Sequence, residues 1–438
     1  MELDSGNTAW VLASSALILL MTPGVAFFYA GMVRGKSALG MLMQNFITIG
    51  LVSIVWVLAG FSIAFGPDAV GGLFGNLHDA GLQHLGSAIP GYSDSLAQTI
   101  PPVVFVSFQL MFAIITPALF TGSIADRMKF GAFCVIVVLW SLLVYAPVAH
   151  WVFSPNGWAF ELGALDFAGG AVVHINAGAA GLALALLLGR RVGWPQMQMR
   201  PHNLPFTLLG AGLLWFGWFG FNAGSALAAN ELAGYAFLNT NTATAAALLG
   251  WVLYEKIGNG KATTLGAASG AVSGLVAITP CAGYVSPLGA IAIGLVAGVG
   301  CAFACRIKFR FGFDDALDVV GIHLVGGVIG TLSVGLFATT LVNEAGADGL
   351  LYGGGTTLLT KQALVAGAVL GYSFLATLLI ASVVKLVIGL RVTEDEETAG
   401  LDTSLHAETA YEIGVGAGGG TYDPAARPLE PAKGSVGA

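Results

Sequence analysis

Charge is what this chain has least of. Only 9% of its 438 residues are Asp, Glu, Lys or Arg, and the mean hydropathy is +0.82. A soluble domain of this length covers its surface with far more charge, so a water-soluble fold is excluded. The formal charge of −7 says little about partners, because the charges sit in loops and tail. Cysteine is also sparse. Cys134, Cys281, Cys301 and Cys305 lie in or beside apolar runs with no Cys-x-x-Cys pair, which argues against disulfides or structural zinc. Cys301 and Cys305 share a helix face and read as small packing residues. No Gly-x-Ser-x-Gly elbow, His-Glu-x-x-His or pair of intramembrane aspartates occurs, so an intramembrane enzyme is not expected. No cofactor, metal or nucleic-acid partner is expected either.

Apolar runs of bilayer-spanning length are what the chain has instead, and they imply a polytopic all-α membrane protein. A β-barrel would show short alternating segments. Eleven spans are expected near 8–33, 38–65, 98–122, 128–151, 167–189, 205–226, 234–255, 262–281, 284–305, 318–341 and 363–390. The acidic N-terminus and the length of the first run favour a true span over a signal peptide. Basic residues follow every odd span: Arg34 and Lys36; Arg127 and Lys129; Arg190, Arg191 and Arg200; Lys256 and Lys261; Arg306, Lys308 and Arg310; Arg391. The loops 66–97, 152–166, 227–233 and 282–283 hold none, and Lys361 is the exception. By the positive-inside rule the N-terminus is expected outside and the C-terminus in the cytoplasm. The division expected is a transmembrane domain over 1–392 and a cytoplasmic tail over 393–438. Within the tail, 400–411 is expected to dock on the protein's own cytoplasmic face. From Gly414 onward the Gly, Pro and Ala content reads as disordered.

Two histidines stand inside apolar runs, where an ionisable group is costly unless it faces protein or a cavity. One lies in Asp166-Phe-Ala-Gly-Gly-Ala-Val-Val-His174-Ile-Asn-Ala-Gly178-Ala-Ala-Gly181, the other in Gly321-Ile-His323-Leu-Val-Gly-Gly327-Val-Ile-Gly330. Each has Gly four and seven residues later. Phe28-Tyr-Ala-Gly31 likewise echoes Phe221-Asn-Ala-Gly224. Spans one to five and six to ten are therefore read as inverted repeats with one extra helix, a plan that puts the site near the midplane. His174 lies eight residues from Asp166, roughly 12 Å along a helix, and His323 a little over one turn from Asp318. An imidazole donates through one nitrogen and accepts through the other, so a facing pair suits a small polar molecule or a proton relay. A di-histidine metal site lacks a further ligand within a turn of either ring.

Around them, Phe108-Gln-Leu-Met-Phe112 and Trp215-Phe-Gly-Trp218-Phe-Gly-Phe221-Asn-Ala-Gly-Ser225 read either as packing and interfacial aromatics or as a ring cage for a small cation, with Ser225 as acceptor. Asp166 is placed to cap the helix after it and to favour cations at the mouth. Thr22-Pro23, Thr116-Pro117 and Thr279-Pro280 each free a carbonyl that neighbours must satisfy.

On these segments, together with Phe112-Ala-Ile-Ile-Thr-Pro-Ala-Leu, Asp315-Ala-Leu-Asp318 and Gly400-Leu-Asp-Thr-Ser…His406…Glu408…Tyr411, the chain resembles the ammonium transporter family (Amt/Mep/Rh), its Amt branch in particular. The resemblance covers nearly all of 8–411. It implies an eleven-helix homotrimer in the plasma membrane with one pore per subunit, carrying ammonium, ammonia or methylammonium. It implies an outer recruitment site with Phe108 and Ser225, supported by Asp166, a gate of Phe112 and Phe221, and a pore with His174, His323 and Trp218. It also implies that a PII-type regulatory protein can block the cytoplasmic exits. The family's outer site has a tryptophan after an Ala-His-x-Val segment. Here Ala149-His150-Trp151-Val152 is followed by Phe153, with Trp158 further on, so either Phe153 or Trp158 is expected in that place. Ala171 stands where some members have threonine. Deprotonation at the gate with passage of ammonia is the expected mechanism, the proton following or not. The alternatives are an electroneutral channel for ammonia or small gases, and a sensor signalling through the tail.

Overall fold

The computed structural model describes residues 3–86, 91–92, 99–197 and 199–411. The described residues are helical, with three isolated bridges and no named strand. The proposed disorder after Gly414 lies outside the described residues.

Eleven helical segments follow the apolar runs: α1 (Ser5–Met32), α2 (38–65), α3 (Pro102–Ile124), α4 (130–153), α5 (Gly170–Leu188), α6 (Leu204–Gly224), α7 (Glu231–Asn259), α8 (Thr264–Ile278), α9 (Pro287–Ala304), α10 (Val320–Phe337) and α11 (Thr357–Ile388). All but α7 and α8 belong to segments long and apolar enough to cross a bilayer; α8 is a shorter apolar helix. Side chains, rather than apolar pattern, set several boundaries. Asn203, Asn230, Thr263 and Ser286 cap α6, α7, α8 and α9 by accepting a first-turn N–H. The α11 helix begins at Thr357 rather than 363. Its start is held by Gln362 in the second turn, whose amide accepts from Leu165 N–H at 2.8 Å and donates to the carbonyls of Leu165 and Thr331. The other face of α11 exposes Leu364, Leu375, Leu379, Val383 and Leu386, an apolar stripe suited to lipid.

Small residues set how closely the helices approach. The first helices of the two predicted repeats, α1 and α6, pack along each other, and a Cβ on Gly210 would collide with the backbone of Phe28. The same symmetry recurs at the histidine helices. The glycine four residues after each histidine marks where α5 and α10 cross. A Cβ on Gly178 would overlap the backbone of Leu324, and one on Gly327 would sit 3.0 Å from the Ile175 nitrogen. The glycine three further on abuts the third helix of its own repeat. Gly181 meets Ser123 at the end of α3, and Gly330 meets the Ala277 carbonyl on α8. The repeated spacing thus performs the same packing in both halves.

At the end of the bundle carrying the basic residues, a buried ion network ties the loops together. Asp314 accepts from Arg191 Nε and Nη2 at 2.9 Å each and lies 3.2 Å from Arg127 Nη1; Arg191 also reaches Asp126. The tail docks here through two short helices, α12 (Glu394–Ala399) and α13 (Leu401–His406). Glu397 accepts from the Val192 N–H and from Arg391, both at 2.7 Å. Asp402 takes the Leu39 and Gly40 N–H groups, free donors in the first turn of α2. His202 and Asn203 hold the Tyr411 hydroxyl.

Candidate functional site

The two histidine helices begin alike. Each opens with a π-helical turn, Gly170–Ile175 in α5 and Val320–Leu324 in α10, and the histidine lies inside it. Such wide turns re-aim a side chain and concentrate at functional sites. Asp166 fixes the first: its Oδ1 accepts from Gly169 and Gly170, and its Oδ2 from Ala171 at 2.8 Å and Val172 at 3.4 Å. Gly169 turns through φ +111°, a left-handed conformation that suits glycine, to deliver those amides. Burial pushes the Asp166 carboxyl above its ordinary range, against the opposing pull of those amides.

The second turn departs from the sequence reading. Asp318 stands a little over one turn from His323 in the sequence, but the acid that caps this turn is Asp315, eight residues before the histidine as Asp166 is before His174. Asp315 Oδ2 accepts from the Val320 N–H at 2.7 Å and Oδ1 from Ser123 at 2.8 Å. The equal offset was visible in the sequence; the nearer Asp318 masked it. Asp318 instead adopts φ +63° and pairs with Lys308 at 2.7 Å.

The imidazoles meet in the interior. Their Nδ1 atoms are 3.3 Å apart, their ring centroids 5.4 Å apart and their planes within 18°. Both are buried. One Nδ1 donates and the other accepts, so a neutral pair shares a single proton across that gap. His174 Nε2 has no hydrogen-bond partner among the described residues. Trp218 stacks on His174 at 5.4 Å, and its Nε1 donates to the Thr279 hydroxyl at 2.9 Å, which itself donates to the Leu275 carbonyl. Thr279 precedes a proline, and its role in orienting Trp218 was not apparent from sequence.

Beyond the histidines the rings continue. Phe221 lies 6.2 Å from His174, and Phe112 lies 4.3 Å from Phe221. Past them is a cavity of about 100 Å³ lined by Phe108, Phe112, Phe153, Asp166 and Ser225, with Gln109 among its other walls. Ser225 donates its hydroxyl proton to the Phe221 carbonyl at 2.8 Å, leaving its oxygen lone pairs as acceptors. Phe153, 6.3 Å from Phe112, is the ring present here, and the Tyr92 hydroxyl donates to its carbonyl at 2.7 Å. Trp158, the other residue expected there, does not line the cavity. Its ring lies tilted against that of Trp151 at 5.8 Å, because its backbone N–H bonds the Gly72 carbonyl and Trp151 Nε1 that of Leu73, folding both tryptophans under the 66–76 loop. At the basic end a second cavity, of about 310 Å³, is lined by Arg34, Asp126, Arg191, Lys308, Leu317 and Asp318 among others. Among the described residues no group of three His, Cys, Asp or Glu side chains is placed to hold a metal.

The chain as a whole is similar to known proteins. The model of the Ammonium Transporter Family matches residues 9–411. The ammonium transporter of Mycobacterium tuberculosis (strain ATCC 25618 / H37Rv) is 54% identical over 95% of this chain and 92% of its own length. That of Bacillus subtilis (strain 168) is 50% identical over 94% and 99%. The crystal structure of Saccharomyces cerevisiae Mep2 superposes with a TM-score of 0.84 at 34% identity, over 90% of this chain and 89% of that one. A structure described as "Sensor Amt Protein" superposes at 0.82 and 31% identity, over 91% and 98%. The chain, a multi-pass all-helical membrane protein, belongs to the ammonium transporter family.

Proposed function

We propose that the protein recruits ammonium at the distal cavity, removes a proton there, and passes ammonia between Phe112 and Phe221 and along His174 and His323. The file of rings is what carries this reading: Phe108, Phe112, Phe221, His174 and His323 succeed one another at centroid separations of 4.3 to 6.2 Å. A small cation is stabilised by ring faces and by the Ser225 oxygen. A bare cation between buried rings faces a large desolvation cost, whereas a neutral ammonia does not. The histidine pair offers one donor and one acceptor to such a guest, and the same shared proton suits a relay. In this reading the distal cavity faces outside, the basic end faces the cytoplasm, and the membrane is the plasma membrane. The unit is a homotrimer with one pore per subunit, and the basic end is where a PII-type regulatory protein acts. Residues 1–392 are the transport domain and the tail is its cytoplasmic appendage. The test is ammonium-driven current alongside isotope uptake in proteoliposomes. Current with uptake means the proton follows; uptake without current means electroneutral ammonia conduction; neither, in folded protein, refutes transport.

The docked tail favours a second reading, in which the protein also reports ammonium. Glu397 joins α12 to the Val192 loop and Asp402 joins α13 to the first turn of α2, and in this reading a change at the basic end reaches the tail through them. Deleting residues 393–438 should then abolish an ammonium response in the cell while uptake persists; an intact response excludes the sensor.

A further inference from the structure

Gln109 lies beside Phe108 and one helical turn before Phe112 on α3, in the wall of the distal cavity. It is 7% exposed, and its Oε1 is buried without a hydrogen-bond partner among the described atoms. A buried carbonyl oxygen without a donor is destabilising, and native proteins seldom retain one without use for it. The other polar groups of the cavity have settled roles. Ser225 has spent its proton on Phe221, and the Asp166 oxygens are engaged by four backbone amides. The Tyr92 hydroxyl is spent on the Phe153 carbonyl.

We propose that Gln109 Oε1 accepts an N–H of the bound ammonium, as a second oxygen acceptor beside Ser225, and that this pair sets the preference for ammonium over its methylated derivatives. This rests on the distal cavity being the recruitment site. Ring faces attract any small cation of suitable size. Two oxygen acceptors instead fix two N–H directions: ammonium meets both in any orientation, whereas methylammonium and dimethylammonium, with three and two N–H groups, meet both only where their methyls fit the rest of a cavity of about 100 Å³. A side-chain oxygen that takes up a donor only when ammonium is present discriminates by leaving itself unpaired when the donor is replaced by methyl.

The experiment measures half-saturating concentrations and maximal rates for ammonium, methylammonium and dimethylammonium in proteoliposomes, for the native chain, Gln109→Leu and Gln109→Glu. A hydrogen bond to a charged donor predicts that Gln109→Leu raises the half-saturating ammonium concentration roughly 10-fold or more. Its maximal rate should stay within a factor of about two, as expected for loss of binding alone. Its preference for ammonium over methylammonium should narrow. Gln109→Glu keeps an acceptor and adds charge, so it should bind ammonium at least as tightly and keep the preference. If Gln109→Leu does not fold, a Gln109→Glu protein that loses both affinity and preference overturns the proposal. So does a folded Gln109→Leu protein with native half-saturation and preference. If the native chain itself carries no ammonium, the recruitment reading fails instead, and the two failures are told apart.

Discussion

The Nδ1 atoms of His174 and His323 stand 3.3 Å apart across the crossing of α5 and α10. Among the described residues neither ring meets a carboxylate, and each is presented by a π-helical turn capped by an acid eight residues before the histidine, half-buried Asp166 in one and buried Asp315 in the other. The arrangement is therefore one device made twice and turned over. What it presents to the interior is a pair of imidazoles sharing a proton, with ring faces on the distal side and a polar cavity at the basic end.

Backbone proximity at Gly178 is what lets the rings meet. A methyl at this position would overlap Leu324 N and Cα, whereas one at Gly327 meets Ile175 at 3.0 Å. Overpacking of this kind costs about 1–3 kcal/mol. Gly178→Ala should lower the melting temperature of the purified protein and sharply reduce uptake, with Gly327→Ala milder on both counts. Equal, native-like behaviour of the two variants would contradict the crossing described.

In the proposed function ammonium is recruited at the distal cavity, so the ring there should set how tightly it is held. Phe153 lines the cavity and Trp158 does not. An indole attracts a cation more strongly than a benzene ring, so Phe153→Trp should lower the half-saturating ammonium concentration about 2- to 5-fold. Trp158→Phe should leave it unchanged. The reverse pattern in uptake assays would assign the site to Trp158.

Asp314 is the hub of the ion network at the basic end. Burial alone would push its carboxyl up, but hydrogen bonds and charge from Arg191, then Arg127, outweigh it and hold the group below its ordinary value of 3.8. A carboxyl depressed in the folded state stabilises the fold above its unfolded pKa, and that contribution is lost as pH falls through the lower folded value. Thermal unfolding followed from neutral pH down through the carboxylate range should therefore show a steep acid limb. Asp314→Asn should flatten that limb and, by leaving two buried guanidiniums short of a partner, cost about 3–5 kcal/mol at neutral pH. A variant with the native melting profile would remove Asp314 from the account.

Glu397 is one latch of the tail, joining Val192 N–H to Arg391, beside Asp402 and Tyr411. Glu397→Ala should release α12 and α13, so that limited proteolysis cuts within 393–411 faster than in the native chain while the membrane core stays intact. An unchanged cleavage rate would mean that Asp402 and Tyr411 hold the tail without it.

Much of this was legible in the residues. The apolar runs fix the helices because a bilayer demands backbone bonds satisfied within each segment, and the histidine–glycine spacing marks the crossing because only a residue without Cβ permits it. What was not legible depends on tertiary partners. The early start of α11 follows from Gln362 bonding Leu165, nearly two hundred residues away. The exclusion of Trp158 follows from the 66–76 loop folding over Trp151. Asp315 was hidden because Asp318 stands closer in sequence, and local spacing does not reveal that the chain turns through a left-handed residue there and sends that carboxylate to Lys308.

In the proposed function ammonia passes along the two imidazoles. The most direct measurement is ammonium-driven current and isotope uptake, recorded together in proteoliposomes of the His174→Ala and His323→Ala proteins. Loss of a positioned proton-transfer group predicts that each single variant loses ammonium-specific flux by about 100-fold. Undiminished, ammonium-selective flux in both variants would contradict the account.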